Sequence, residues 1–136
     1  MTKKLLLNLI TPQAQLLKEA AVDMVVLPAL FGEMGILPDH VPVLTQLTLG
    51  SLRYKTGDKE EEFAVMGGFA EVADKVVNVF AEGADLAGAI DEEAESQKIK
   101  KAKDALSRKD ADIDFELAEL ELKKSITRMK VKRRKR

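Results

Sequence analysis

The chain has 136 residues, 46% of them apolar and 33% charged, with a formal net charge of −1. That length builds one domain, or one small domain with an appendage, around a modest core. The absence of cysteine excludes disulfides, thiolate zinc sites and a cysteine nucleophile, and 4% aromatics without tryptophan leaves little platform for stacking bases.

Residues 5–10 are apolar apart from Asn8 and predict a strand broken at Pro12. Asn8 and Thr11-Pro12 end the first apolar run too early for a signal peptide, and the run lacks the Arg and Ser of a transit peptide. No stretch reaches the roughly 18 apolar residues of a membrane span. Leu16-Leu17 predicts a short second strand before a turn at Lys18-Glu19. Val22 to Leu27 is β-branched and apolar, a strand stopped by Pro28.

Gly32 to Leu44 then carries two glycines three apart and two prolines four apart. Such spacing predicts a stiff irregular loop, with Ile36, Leu37, Val43 and Leu44 as anchors and Asp39-His40 at its polar tip. Beyond it, Thr45–Lys55, Glu60–Met66, Phe69–Val72 and Val76–Phe80 read as strands. Turns fall at Thr56–Lys59 and Ala73–Lys75, and Gly67-Gly68 permits a reversal or bulge. From Ser51, Leu52 and Tyr54 share one face, and Phe63 and Val65 face opposite to Ala64 and Met66. Short strands at this spacing predict an antiparallel sandwich or barrel.

Composition changes over Gly83–Gly88, the expected linker, after which Ala, Glu, Lys and Leu dominate. Asp91-Glu92-Glu93 opens a helix whose second half holds Lys98, Lys100, Lys101, Lys103 and Arg108. Lys109–Asp112 reads as a break. A second helix follows, acidic at Asp112, Asp114 and Glu116 and basic at its end. It bears two apolar stripes: Ile113, Leu117, Leu120 and Val131; then Phe115, Ala118, Leu122, Ile126 and Met129. The predicted fold is α+β in two parts, an N-terminal antiparallel β-sandwich over residues 1–84 and a C-terminal antiparallel two-helix hairpin over residues 85–136.

Residues 128–136 hold seven bases and no acid: Arg128, Lys130, Lys132, Arg133, Arg134, Lys135 and Arg136. Fifteen bases against 23 acids remain in the rest, an acidic body with a basic tail, which predicts an electrostatic partner or an internal contact. No catalytic set emerges. The single histidine, His40, lacks companions at metal-ligand spacing, so no metal is expected, and neither a G-K-[ST] phosphate loop nor a G-x-S-x-G elbow occurs. On the residues alone, a partner-binding module, a nucleic-acid-binding accessory protein using the basic tail, and a small-ligand module with a pocket in the sandwich all stay open.

The run Gly32-Glu33-Met34-Gly35-Ile36-Leu37-Pro38-Asp39-His40-Val41-Pro42-Val43-Leu44 resembles the signature loop of the epsilon subunit of F-type ATP synthases, G-E-x-G-I-L-P-x-H-x-P-x-L. Further matches follow in order at Thr11-Pro12, Val22 to Val26, Gly50 to Arg53, Met66 to Phe69, Ile90-Asp91 and Asp112 to Phe115. The resemblance implies a non-catalytic central-stalk subunit, peripheral on the cytoplasmic face of the bacterial cell membrane. Its implied partners are the gamma subunit, the ring of c subunits and, through the C-terminal helix, the catalytic alpha and beta subunits; no nucleic acid is among them. Gly32, Glu33, Met34 and Gly35 fall on the family's ring-facing turn, and His40 where the family approaches gamma. The helical hairpin is the family's brake on ATP hydrolysis. Residues 91–131 in one straight helix would span about 60 Å, and Arg128, Lys130, Lys132, Arg133 and Arg134 would hold the extended state. Some relatives bind ATP through I/L-D-x-x-R-A. Here Ile90, Asp91 and, ten residues on, Lys101 match, but Ala94 replaces the Arg and Glu95 the Ala, so the resemblance implies weak or absent ATP binding and no cofactor.

Overall fold

The computed structural model describes residues 3–108 and 114–135. Among the described residues eight strands precede two helices: β1 (Leu5–Ile10), β2 (Gln15–Val22), β3 (Met24–Ala29), β4 (Gly32–Ile36), β5 (Val43–Thr56), β6 (Lys59–Ala73), β7 (Val76–Ala81), β8 (Ala84–Leu86), α1 (Glu92–Arg108) and α2 (Phe115–Lys135). The strands hydrogen-bond in the order β2-β1-β7-β6-β5-β3-β4, with β8 added to β6. Pairing is antiparallel throughout except between β1 and β7, which run parallel, Leu6 beside Val76 through Ile10 beside Phe80. The chain between them is long enough to return to the same end of the sheet, so the parallel match costs no strained connection.

The path folds into two layers because its longest hairpin changes sides. In β5 the core face is taken by Val43 and Leu47 first, then by Leu52 and Tyr54; in β6 it is taken by Phe63 and Val65 first, then by Ala70 and Val72. Odd and even positions exchange at the same height in both strands, around Thr48 and Gly67-Gly68, and each strand thereby serves both layers. The earlier half of β6 pairs with β8 and the later half with β7. Between the layers Leu5, Leu7, Leu9, Val25, Leu27, Ile36, Leu52, Val77 and Val79 are fully buried. At about 1.5–3 kcal/mol for each fully buried aliphatic side chain, this core dominates the stability of the body.

Several expectations change. Gly32–Ile36 is the edge strand β4 rather than loop, because Val25 to Ala29 offers it a complete pairing partner; only residues 37–42 are irregular. Of the four expected anchors, Ile36 is fully buried and Val43 packs on the core, whereas Leu37 and Leu44 are exposed. Lys18-Glu19 is not a turn. β2 runs through it by a bulge, with Glu19 at φ 47° and its N–H donated to Asn8 Oδ1 at 2.7 Å. Val22 ends β2 rather than opening the next strand. Pro28 lies inside β3, where the β3–β5 ladder shifts register and asks no N–H of it. Gly67-Gly68 bends β6 without reversing it, and Gly83–Gly88 is β8 and a single 3-10 turn rather than a free linker.

Asp23 fills the bend between β2 and β3. Its carboxylate accepts from Lys4 Nζ and from the Gly57 N–H at 2.7 Å, tying β1 and the β5–β6 turn to one side chain. The Lys4 hydrogen bond first, then that of Gly57, hold the carboxyl below the usual carboxylate range against a smaller opposing effect of burial. A depressed folded-state pKa stabilises above the unfolded value of about 3.9 and is lost as pH falls through the folded value. Asp23→Asn is therefore expected to lower the melting temperature at pH 7, with the gap to wild type closing as melts are taken down through pH 4 toward pH 2. A gap independent of pH would contradict the charge-based account.

The helices form an antiparallel pair. Asp91 caps α1, accepting from the N–H groups of Glu93 (3.1 Å) and Ala94 (3.2 Å), and Asp114 caps α2 by accepting from Leu117 at 3.1 Å. The last turns of α2 lie on the outer face of β5 and β6, where Val131 joins Ala64, Met66, Ala87 and Ile90 in a second, small apolar cluster. The body's core and this cluster share no residue. Leu117 and Leu120, on the same stripe as Val131, are left exposed; Ile113, Asp112 and the expected break at Lys109–Asp112 lie outside the described residues.

Candidate functional site

The signature run divides into two places. At the first, the β3–β4 hairpin turns through Leu30-Phe31, with Gly32 at φ 132° where a side chain would strain. Phe31 is 99% exposed at the tip. Glu33 pairs with Arg53 across the sheet edge, Oε2 to Nη2 at 2.7 Å, and Met34 packs against the core, so the strand behind the tip is fixed. At the second, His40 closes a turn: its N–H donates to Leu37 O at 2.9 Å and its Nδ1–H to Val41 O at 2.7 Å. β4 separates the two places by its own length, roughly 15 Å at 3.3 Å per residue. Gly32, Glu33, Met34 and Gly35 therefore lie at one place on the surface and His40 at another.

A surface that the sequence reading did not single out lies beside the hairpin. Ile10 is in register with Phe80, Phe80 with Phe69, and Phe69 with Gln46, whose carbonyl accepts from Leu30 N–H at 3.0 Å. Residues in register point to the same face, so four strands present one transverse row. Phe69 and Phe80 stack at 5.0 Å between ring centroids and are exposed, as is Leu44 two positions before Gln46. Shallow clefts of about 340 and 420 Å³ flank the aromatic pair, one lined by Ile10, Thr11 and Pro12, the other by Leu44, Thr45 and Gln46. Stacked, solvent-facing phenylalanines on a rigid sheet are unusual for a surface with no partner. The signal was present in the sequence as the positions alternate to Ala70 and Val79, but their opposition across strands was not.

The basic tail is engaged within the chain. Arg128 Nε donates to Asp85 Oδ2 at 2.8 Å, and its Nη1 lies 3.5 Å from Glu95 Oε2. Arg133 Nε donates to Glu92 at 3.1 Å, Arg134 reaches Glu62 at 3.4 Å, and Lys132 Nζ lies 3.5 Å from Gly88 O. Glu62 is buried and also accepts from Ser51 Oγ. Lys130 is exposed. Burial by itself would lower the Arg128 pKa, but the hydrogen bond and charge of Asp85, joined by Glu95, outweigh it and raise it.

The positions of the nucleotide motif lie at the start of α1 and just before it. Ile90 is buried in the small cluster, Asp91 caps α1, and Ala94 is half-buried without a guanidinium to offer. Lys101 is exposed and lines, with Lys98 and Arg108, a cleft of about 530 Å³ between the helices floored by Ala102, Ala105, Leu117 and Ala118. Among the described residues no group of three or more His, Cys, Asp or Glu could hold a metal ion, and no helix is long and apolar enough to cross a membrane.

The β-sandwich domain of the ATP synthase delta/epsilon chain matches residues 4–87. The ATP synthase epsilon chain of Desulforamulus reducens is 39% identical over 130 residues, covering 96% of this chain and 98% of that one. That of Elusimicrobium minutum is 45% identical over 109 residues, 80% of this chain and 81% of that one. Among solved structures, a chain of the Euglena gracilis mitochondrial ATP synthase (OSCP/F1/c-ring) superposes with a TM-score of 0.77 at 27% identity, covering 88% of this chain and 76% of its own. A chain from the central stalk/c-ring of the Tetrahymena thermophila enzyme shares the fold, with a TM-score of 0.56 at 14% identity over 99% of this chain and 96% of its own. With the sandwich, the two following helices and near-complete overlap with such relatives, this chain belongs to the ATP synthase epsilon chains, a non-catalytic subunit of the complex.

Proposed function

We propose that the chain works as a rotor element with a detachable brake, peripheral on the cytoplasmic face of the cell membrane and divided near residue 84 into a stiff body and a helical arm. The observation that carries this reading is the separation of its two apolar clusters. The body is packed by a large internal core, and the arm is held by a small external patch bordered by ion pairs. An arm of that kind can leave without unfolding the body.

In this reading the Phe69–Phe80 row and the nearby His40 turn seat on the gamma subunit. The Leu30–Gly35 hairpin, with Phe31 foremost, meets the polar loops of the c ring. When released, the arm reaches the alpha and beta subunits, and Arg128, Lys130, Lys132, Arg133 and Arg134 exchange their internal carboxylates for acidic groups there. The competing reading as a nucleic-acid accessory loses support because three of those cations already hold carboxylates, and a ligand pocket inside the sandwich loses support because buried Leu and Val side chains pack its interior into one cluster.

The test is assembly. Phe69→Glu with Phe80→Glu places charge in the aromatic row without touching the core. The double variant is expected to bind gamma at least about tenfold more weakly, equivalent to about 1.4 kcal/mol, while Glu33→Lys leaves gamma binding within about twofold. Gamma co-purifying equally with wild type and the double variant would contradict the assignment of this face.

A further inference from the structure

One guanidinium joins three elements. Arg128, on the last turns of α2, meets Asp85 on β8 and Glu95 on the first turn of α1. The Glu95 side chain is 8% exposed and that of Arg128 19%. Glu95 Oε2 is buried with no hydrogen bond, and the second carboxylate oxygen lies 3.4 Å from Lys98 Nζ. The buried Oε2 faces Arg128, while Lys98, itself exposed, meets only the other oxygen, and Arg128 in turn has both sides of its fork committed. Glu95 also stands at the position where the I/L-D-x-x-R-A pattern carries alanine.

We propose that Glu95 is a tethered counter-anion: with Asp85 it neutralises Arg128 in the docked arm, so that docking is held by an internal carboxylate lock and requires no external polyanion such as a nucleotide triphosphate. This rests on the reading of the hairpin as a detachable arm. Removing Arg128 leaves the buried Glu95 with only the exposed Lys98, and removing Glu95 leaves Arg128 with Asp85 alone; either change weakens the compensation under the arm and favours release, where water can solvate the remaining charge. Docking should also weaken as salt screens the outermost pair, Arg133–Glu92, before it weakens those made to the buried carboxylates Glu62 and Glu95.

The full-length chain, which has no cysteine of its own, can be spin-labelled at Asp58→Cys on the body and Lys130→Cys on the arm, and the label separation measured. Glu95→Gln and Arg128→Gln are each expected to raise the undocked population at least about tenfold, and the two together no further than the worse single change, the non-additivity of a direct pair. Millimolar ATP is expected to leave the wild-type distribution unchanged. Single variants indistinguishable from wild type, additive effects, or a wild-type distribution that sharpens with ATP would each overturn the lock. Val131→Asp, which breaks the apolar contact instead, separates the two failures: if it undocks while the Glu95 and Arg128 variants do not, the lock falls and the arm stands; if no variant undocks, the arm reading falls with it.

Discussion

Gly68→Ala is expected to be the most damaging single methyl in the body. A Cβ at Gly68 would lie 2.1 Å from Phe80 O, 2.9 Å from Ala81 Cα and 3.0 Å from Phe80 C, and the residue sits at φ 126°. All three atoms are backbone of β7, so no side chain can swing aside; relief requires parting β6 from β7 at the point where β6 crosses between layers. Backbone strain of about 1–3 kcal/mol and an overpacking cost of similar size add to about 4 kcal/mol, a large share of the 5–15 kcal/mol typical of a domain. A fall in melting temperature of more than about 10 °C is expected. Gly35→Ala is the control: nothing lies within 4 Å of its Cβ, and its melting temperature should stay within about 4 °C of wild type, equivalent to about 1 kcal/mol. Equal tolerance of both substitutions would contradict the close approach of the two strands.

Val131→Asp is expected to free the arm and spare the body. Val131 is 1% exposed against Ala64, Met66, Ala87 and Ile90. The substitution loses about 1.5–3 kcal/mol of apolar burial and would bury a carboxylate with no cation assigned to it, at a further cost of several kcal/mol. A dock made of one small cluster and a few ion pairs cannot absorb that, and the undocked form should gain more than about a hundredfold, or about 2.7 kcal/mol. Because Val131 touches none of the body's core, amides of β1, β6 and β7 should keep their hydrogen-exchange protection while those of α2 lose it. Joint loss of protection in body and arm would show one cooperative unit.

How far the sequence could be read follows from the range of the forces involved. Alternation placed Leu52 with Tyr54 and set Phe63 and Val65 against Ala64 and Met66, because a strand's faces are decided within a few residues. Asp91 announced the start of α1 for the same reason, and its side chain caps the N–H groups expected of it. Local rules failed where distant chain decided. Glu19 bulges because Asn8, eleven residues away, takes its N–H. Pro28 stays in a strand because its neighbours on both sides complete the ladder. The resemblance implied a contact role for the signature run, whereas only the register across four strands assembled Phe69, Phe80 and Ile10 into a surface. The tail read as a charge cluster calling for an electrostatic partner or an internal contact; the structure supplies internal contacts, but Glu62, Asp85, Glu92 and Glu95 lie far upstream and no spacing rule connects them to it.

Under the proposed reading of the arm as a brake stowed on the body, two changes to the arm should move hydrolysis in opposite directions. The deciding measurement is ATP hydrolysis by the reconstituted complex carrying wild-type chain, Val131→Asp, or a chain ending at residue 88. Hydrolysis should rise above wild type with the truncated chain, which has no arm to extend, and fall below it with Val131→Asp, whose arm is always released. Equal rates for wild type and the truncated chain, or rates shifted the same way by both changes, would contradict the stowed brake.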